Sequence, residues 1–170
     1  MAAGRLRQQG LEGLSITGVA EEAGISHATL LHHFGSSDGM RAALADKMTL
    51  DLVTDLVAAF DANVSTTEMT RNLFAALEEG GHARLIAWRA VEELGDHSPM
   101  GELTQGFGQL LAKAQEALGV EQTADIKRIV MLVAVAATGF GLAGRVLADV
   151  LDMSEEDLQD FPRWLTEHIS

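Results

Sequence analysis

Cysteine is absent from this 170-residue chain, and its absence excludes disulfides, thiolate catalysis and cysteine-ligated metals. The chain therefore needs no oxidising compartment. The N-terminal segment MAAGRLRQQG contains no apolar run of the about 7–15 residues that a secretory signal requires. We therefore expect a cytoplasmic protein.

Sequence features that accompany catalysis are also missing. The chain has no tyrosine, no glycine-rich loop that would hold a phosphate, and no pair of side chains at metal-ligand spacing. Its one polar cluster near a turn, which consists of Glu92, Glu93, Asp96 and His97, is explained more simply as a solvated helix end. We therefore expect no enzymatic activity, no cofactor and no metal site.

The net charge of −13 and the pI of about 4.7 are unusual for a protein that binds nucleic acid, because duplex affinity depends largely on Lys and Arg. The acidity is unevenly distributed, however. Residues 1–48 contain four basic and five acidic side chains, whereas residues 49–170 contain eight basic and twenty acidic ones. The first segment is nearly neutral, so the overall acidity does not exclude DNA binding by that segment.

Two short helices joined by a tight turn are predicted within residues 14–34. Ser15 is a suitable N-cap, and apolar residues recur at helical spacing up to Gly24, where a left-handed conformation can end the helix. Ser26 is the expected N-cap of a second helix over residues 27–34. This is the arrangement of a helix-turn-helix, whose second helix enters the major groove of DNA. An ordinary helical hairpin is the alternative.

The residues of this segment resemble the DNA-binding domain of the TetR (tetracycline-repressor, AcrR-like) family of transcriptional regulators. The resemblance covers about residues 5–48, and it rests on Val19-Ala20, Ala23-Gly24-Ile25-Ser26, Ala28-Thr29-Leu30 and Phe34. It implies an all-α protein with a three-helix helix-turn-helix domain at 1–48. A helical ligand-sensing and dimerisation domain at 49–170 would follow. The implied function is a repressor that a small-molecule ligand releases from its operator.

By matched position, the resemblance assigns the DNA contacts to the second helix of the motif and its surroundings. The candidate side chains are Thr17, His27, Ala28, Thr29, His32 and His33. The three that open the helix, His27 to Thr29, would face base edges, where Ala28 offers only a methyl contact, for example to thymine. Thr17 and the two later histidines would meet the DNA backbone or bases.

Three features depart from the family pattern where it contacts phosphate. Leu31 replaces the usual tyrosine, Ser37 replaces the usual lysine, and the first helix is short and lacks a basic N-terminal arm. Each lost phosphate contact weakens DNA binding and flattens its salt dependence. We expect Arg5, Arg7 and Arg41 to compensate in part. The alternative is a ligand-binding protein, or an antagonist of a DNA-competent relative, that has itself lost DNA binding.

The middle of the chain predicts further helices. Apolar residues repeat every four positions from Met40 to Phe60, which predicts a long fourth helix. The capping box Ser65-x-x-Glu68 starts a fifth helix, residues 85–94 form a sixth, and Ser98-Pro99 starts a seventh.

A pocket for a small apolar ligand within these helices is implied by the resemblance alone. Its candidate lining residues are Met69, Phe74, His82, Trp88 and Phe107. We expect mostly apolar walls with few polar groups. Each of these residues is alternatively an ordinary core residue.

Residues 129–144 are a stretch of 16 residues without charge. A transmembrane helix needs about 20 apolar residues, so we expect no membrane span. A helix that is apolar on all sides is buried in a soluble protein, and here it can pack on its own domain and on a second subunit. The cap Ser154 starts a last helix, which we expect to kink or restart at Pro162.

The resemblance implies that these last two helices, near residues 126–150 and 154–169, join two chains into a homodimer. The two-fold symmetry of such a dimer would present two recognition helices to a pseudo-palindromic operator in double-stranded DNA, about one helical turn apart.

Overall fold

The computed structural model describes residues 2–79, 81–92, 101–119 and 122–169. These residues contain nine α-helices, one 3₁₀ turn and no β-strand, which confirms the predicted all-α fold. The helices are α1 (Ala2–Gln9), α2 (Ile16–Ala23), α3 (His27–Phe34), α4 (Ser37–Asp61), α5 (Thr66–Glu79), α6 (His82–Glu92), α7 (Gly101–Leu118), α8 (Thr123–Val150) and α9 (Glu155–Ile169), and the 3₁₀ turn is Leu11–Gly13.

Two predictions fall on the undescribed part of the chain. The first is the polar cluster near a turn, because Glu93, Asp96 and His97 lie outside the described residues, as does the side chain of Glu92. The second is the start of the seventh helix at Ser98, which is also outside them.

Side-chain caps set several helix boundaries. The Ser65 hydroxyl accepts a hydrogen bond from the Glu68 N–H (3.2 Å) at the start of α5. At the start of α9, Ser154 and Asp157 each accept a bond from the other's backbone N–H (3.1 and 3.0 Å), which is a reciprocal capping box. The hydrogen bonds from Ser154 hold the pKa of the Asp157 carboxyl below its ordinary value.

Helix α9 continues through Pro162, so the expected restart at this proline does not occur. Proline cannot donate the backbone hydrogen bond of a helix interior. Here Pro162 is buried on the same side as Leu158 and Leu165, and this packing offsets the lost bond.

The N-terminal part of the chain encloses its own hydrophobic core. The buried residues of this core come from α1, α2, α3 and the first half of α4, together with Leu14 before α2 and Leu85 of α6. Trp88 of α6 also packs against this core. Helix α6 therefore belongs to the first core as well as to the C-terminal part. Helix α4 is continuous from Ser37 to Asp61, so the predicted boundary between residues 48 and 49 lies inside a helix.

A second core lies between α5, α8 and α9. Phe74 is 2% exposed and lies at its centre, with ring centroids 5.2 Å from Phe140 and 5.9 Å from Phe161. Helix α8 approaches α5 closely at Gly141, where an added Cβ would lie 2.9 Å from the Leu77 carbonyl oxygen. A residue without a side chain is therefore required at position 141.

Helix α8 extends beyond the predicted stretch at both ends, and one side of it is uncovered. Only 11% of the most apolar 18-residue stretch of α8 is buried. By length and composition, the helix could cross a membrane. Neighbouring helices of the same chain cover one side of α8, and the expected packing of the other side on a second subunit stays a prediction. The exposed apolar side chains on α8 are Met131, Leu132, Val135, Leu142, Val146, Leu147 and Val150.

Candidate nucleic-acid interface and internal cavity

Two serine caps and one glycine fix the turn between α2 and α3. The hydroxyls of Ser15 and Ser26 accept backbone N–H groups at the starts of α2 (3.1 Å) and α3 (3.0 Å). Gly24 ends α2 with a φ of 67°, a left-handed conformation that costs other residues about 1–2 kcal/mol. The Ile25 N–H then donates to the Ala20 carbonyl (3.1 Å). These local bonds set the orientation of α3 relative to α2.

The outer face of α3 is exposed. Among its eight residues, Leu30 is buried, Phe34 is half-buried, and the other six are exposed. The exposed set includes five candidate DNA-contacting residues, which are His27, Ala28, Thr29, His32 and His33, and the sixth candidate, Thr17, is exposed on α2. Leu30 holds the helix against the core and leaves the predicted contact residues accessible.

Two of the arginines expected to contact phosphate are bound within the domain instead. Arg5 donates to Glu22 (2.6 Å) and to the Gly13 carbonyl (3.2 Å). Arg41 donates to the carbonyls of Leu14 (3.2 Å) and Leu11 (3.1 Å) and to Asp38 (2.9 Å). Its guanidinium also lies 5.7 Å from the centre of the Trp88 ring. Both arginines therefore stabilise the fold, and little of their charge is available to DNA.

A cavity of about 570 Å³, here called the central cavity, lies among helices α4 to α9. Its lining is apolar except for threonines and one ion pair, Asp46 with Arg89. The Arg89 Nη1 donates to Asp46 (2.5 Å) and to the Ala42 carbonyl (3.0 Å), and thereby joins α6 to α4. The hydroxyls of Thr49 and Thr138 donate to carbonyls of their own helices. The ion pair is thus the charged site of the described cavity wall.

Comparison with known proteins finds a family that matches the first three helices and the start of α4. The family model described as bacterial regulatory proteins, tetR family, matches residues 2–44. The N-terminal segment is therefore similar to the TetR family of regulators. It is also similar to the HTH-type transcriptional regulatory protein RaaS of Mycobacterium tuberculosis (strain ATCC 25618 / H37Rv), with 27% identity over 106 residues. That match covers 51% of this chain and 50% of RaaS, about half the length of the relative. No solved structure matches significantly.

The resemblance predicted from the sequence is confirmed. The structure also shows the surroundings of two residues that depart from the family pattern. Leu31 is 42% exposed, so an apolar side chain stands on the outer face of α3 where a family tyrosine would reach phosphate. The Ser37 hydroxyl accepts a hydrogen bond from the Ile16 N–H (3.4 Å) and links α4 to α2. Neither side chain supplies a positive charge to the candidate interface.

The five predicted ligand-binding residues do not line one cavity. Met69 and Phe107 line the central cavity, whereas Phe74, His82 and Trp88 lie elsewhere. Phe74 points into the aromatic cluster of the second core. The His82 Nδ1 lies within hydrogen-bond distance of the Ala76 carbonyl (3.1 Å), and Trp88 packs on the first core.

Asp46 and Arg89 are not among the site residues predicted from the sequence. The spacing of Arg89 could have indicated its position. Arg89 lies four residues after Leu85 and three after Ile86, so it is on the same inward face of α6 as these apolar residues. A charged residue on a buried helix face needs a partner. The identity of that partner depends on the packing of α6 against α4.

Proposed function

We propose that this protein is a DNA-binding transcriptional repressor that a small apolar ligand releases from its operator. The decisive observation for DNA binding is the capped α3, whose candidate contact residues are exposed while Leu30 fixes the helix to the core. The match of residues 2–44 to a family of regulatory proteins supports the same function. Such a repressor acts on duplex DNA in the cytoplasm.

DNA binding through this surface would rest on few contacts with phosphate groups. Arg5 and Arg41 are occupied by partners in the same domain, and neutral side chains stand at positions 31 and 37. Each neutralised phosphate contributes about −0.9 to the slope of log affinity against log salt. We therefore expect a shallow salt dependence and a specificity that depends on base contacts.

A homodimer through α8 and α9 would place two copies of α3 on one operator. Exposed apolar side chains extend along α8 from Met131 to Val150, and Trp164 of α9 is 49% exposed. A contiguous apolar surface of this kind usually marks an interface. A membrane is a less suitable partner, because the other side of α8 packs on α5 around Gly141 and a span would have to give up these contacts.

Ligand control would act through α4. This helix lines the central cavity from Ala45 to Phe60, and its first turns belong to the core that supports α3. A ligand changes DNA affinity only as far as it binds one arrangement of the two recognition helices better than another. We propose that the occupied cavity favours a separation of the recognition helices that does not fit the operator.

Selection of bound duplexes from a random pool at low salt tests the DNA-binding proposal. We expect enrichment of a palindrome, and we expect Thr29→Ala to reduce it because Thr29 is exposed at the start of α3. Thr54→Ala is the matched control, since it removes another exposed threonine, on α4, away from the interface.

The rival function is a ligand-binding or antagonist protein without DNA binding of its own. It predicts no enriched duplex although the dimer is intact in sedimentation. Equal enrichment by wild type and Thr29→Ala would instead remove α3 from the proposed interface.

A further inference from the structure

We infer that the central cavity binds an elongated apolar carboxylate, such as a medium-chain fatty acid, and that Arg89 binds its headgroup. The inference rests on the proposed function, since it names the ligand class for the same cavity. It depends on three observations, which are the length of the cavity, the position of its ion pair and the contacts of the Arg89 guanidinium.

The central cavity is long rather than round. Its lining residues on α4 extend from Ala45 to Phe60, and those on α7 extend from Leu103 to Leu118. With a rise of 1.5 Å per residue, each of these runs is about 22 Å long. A compact ligand would leave much of this wall uncovered, whereas an extended alkyl chain can cover it.

The charged site lies towards one end of this length. Asp46 is the second lining residue along α4, and its partner Arg89 comes from α6. The α4 lining residues beyond Thr49 are Leu52, Val53, Leu56 and Phe60, all of which are apolar. One charged end and a long apolar wall match a molecule with one headgroup and one chain.

The contacts of Arg89 favour an anionic headgroup. The two hydrogen bonds that Arg89 makes to Asp46 and Ala42 both come from Nη1. A guanidinium has further donors on two other nitrogens, in a planar fork that suits a carboxylate. A cationic ligand would have to bind Asp46 beside the guanidinium, which the Ala42 carbonyl also holds in place. A cationic headgroup would therefore have to compete with Arg89 for Asp46.

Displacement of the neutral fluorescent probe Nile red from the full-length protein tests the inference without DNA. The competitors are decanoate, 1-decanol and decyltrimethylammonium at pH 8, each below its aggregation concentration. We expect decanoate to bind at least tenfold more tightly than the other two compounds. Affinity should also rise about fourfold for each methylene added between octanoate and decanoate, because every methylene is buried.

Two variants locate the headgroup. Arg89→Gln should abolish the preference for decanoate over decanol while leaving decanol affinity within about twofold, which also shows that the variant is folded. Arg84→Gln, which changes an exposed arginine of the same helix, should leave the preference intact. If Arg89→Gln does not fold, Arg89→Lys keeps a charge but loses the planar fork, and it should lower the preference without removing it.

Four results would overturn the inference. Equal affinities for decanoate and decanol, or a preference that survives Arg89→Gln, would remove Arg89 as the headgroup residue and leave the apolar cavity of the proposed function. Tighter binding of the ammonium would assign the headgroup to Asp46. No probe binding at all would contradict the ligand half of the proposed function too, while DNA selection would still test the other half.

Discussion

The arginine at position 41 offers a sharp test of whether positive charge in the N-terminal domain supports the fold or the DNA. Its side chain is 21% exposed and donates to the carbonyls of Leu11 and Leu14 as well as to Asp38. Arg41→Met removes the arginine donor from both carbonyls, of which the Leu11 carbonyl keeps the Leu14 N–H as a partner (3.1 Å). At about 1–1.5 kcal/mol for each carbonyl, we expect a loss of about 2–3 kcal/mol. The Asp38 pair adds only a few tenths, about as much as other exposed pairs of this spacing.

Urea unfolding followed by circular dichroism measures this loss. Protein concentration is held fixed, because the stability of the proposed dimer would depend on it. Lys47→Met is the control, since Lys47 pairs with Asp51 at an exposed site and its loss should cost less than about 0.5 kcal/mol. If Arg41 contacted DNA instead, Arg41→Met would have the stability of the wild type. The slope of log DNA affinity against log salt would then become shallower by the contribution of about one phosphate contact. That result would refute the structural role.

Three further changes have defined outcomes. Phe74→Ala, at a position 2% exposed, should lower the free energy of unfolding by about 3–5 kcal/mol, and a loss below about 1 kcal/mol in urea unfolding would contradict its central place in the second core. Gly141→Ala should destabilise the fold, because the added methyl group would contact the α5 backbone. Gly108→Ala, where the added methyl group meets open space, should stabilise the fold by up to about 1 kcal/mol. Thermal melting compares the two variants. The lowered pKa of Asp157 means that its capping box stabilises the fold above the ordinary pKa and loses this effect as pH falls through the lowered value. The stability difference between wild type and Asp157→Asn should therefore shrink below about pH 4, and a difference independent of pH would contradict the assignment.

The local structure could be read from the sequence because its determinants lie within a few residues of one another. Ser15, Gly24 and Ser26 act on backbone groups no more than a turn away, and the same holds for Ser65 at α5. The caps and the apolar spacing were therefore enough to place the helices of the DNA-binding domain and most of those after it.

Contacts between distant positions could not be predicted in this way. Met69 and Phe74 are both apolar residues of α5 in the sequence, yet Met69 lines the central cavity and Phe74 packs on α8 and α9. Five residues turn a helix by about 140°, so the two side chains point to different neighbours. Which of those neighbours encloses a cavity depends on how the helices pack. For the same reason, the partners of Arg5 and Arg41 became known only from the fold.

The DNA-binding function is tested most directly by the affinity of the purified protein for the duplex that selection enriches, which we expect to be a palindrome. This affinity is compared, across a series of salt concentrations, with the affinity for a random duplex of equal length. We expect a preference for the palindrome of at least about 10³ and a shallow salt slope, since few cationic side chains face the DNA. Thr29→Ala should reduce the preference without changing the slope. Equal affinities for the two duplexes at every salt concentration would contradict sequence-specific DNA binding by α3.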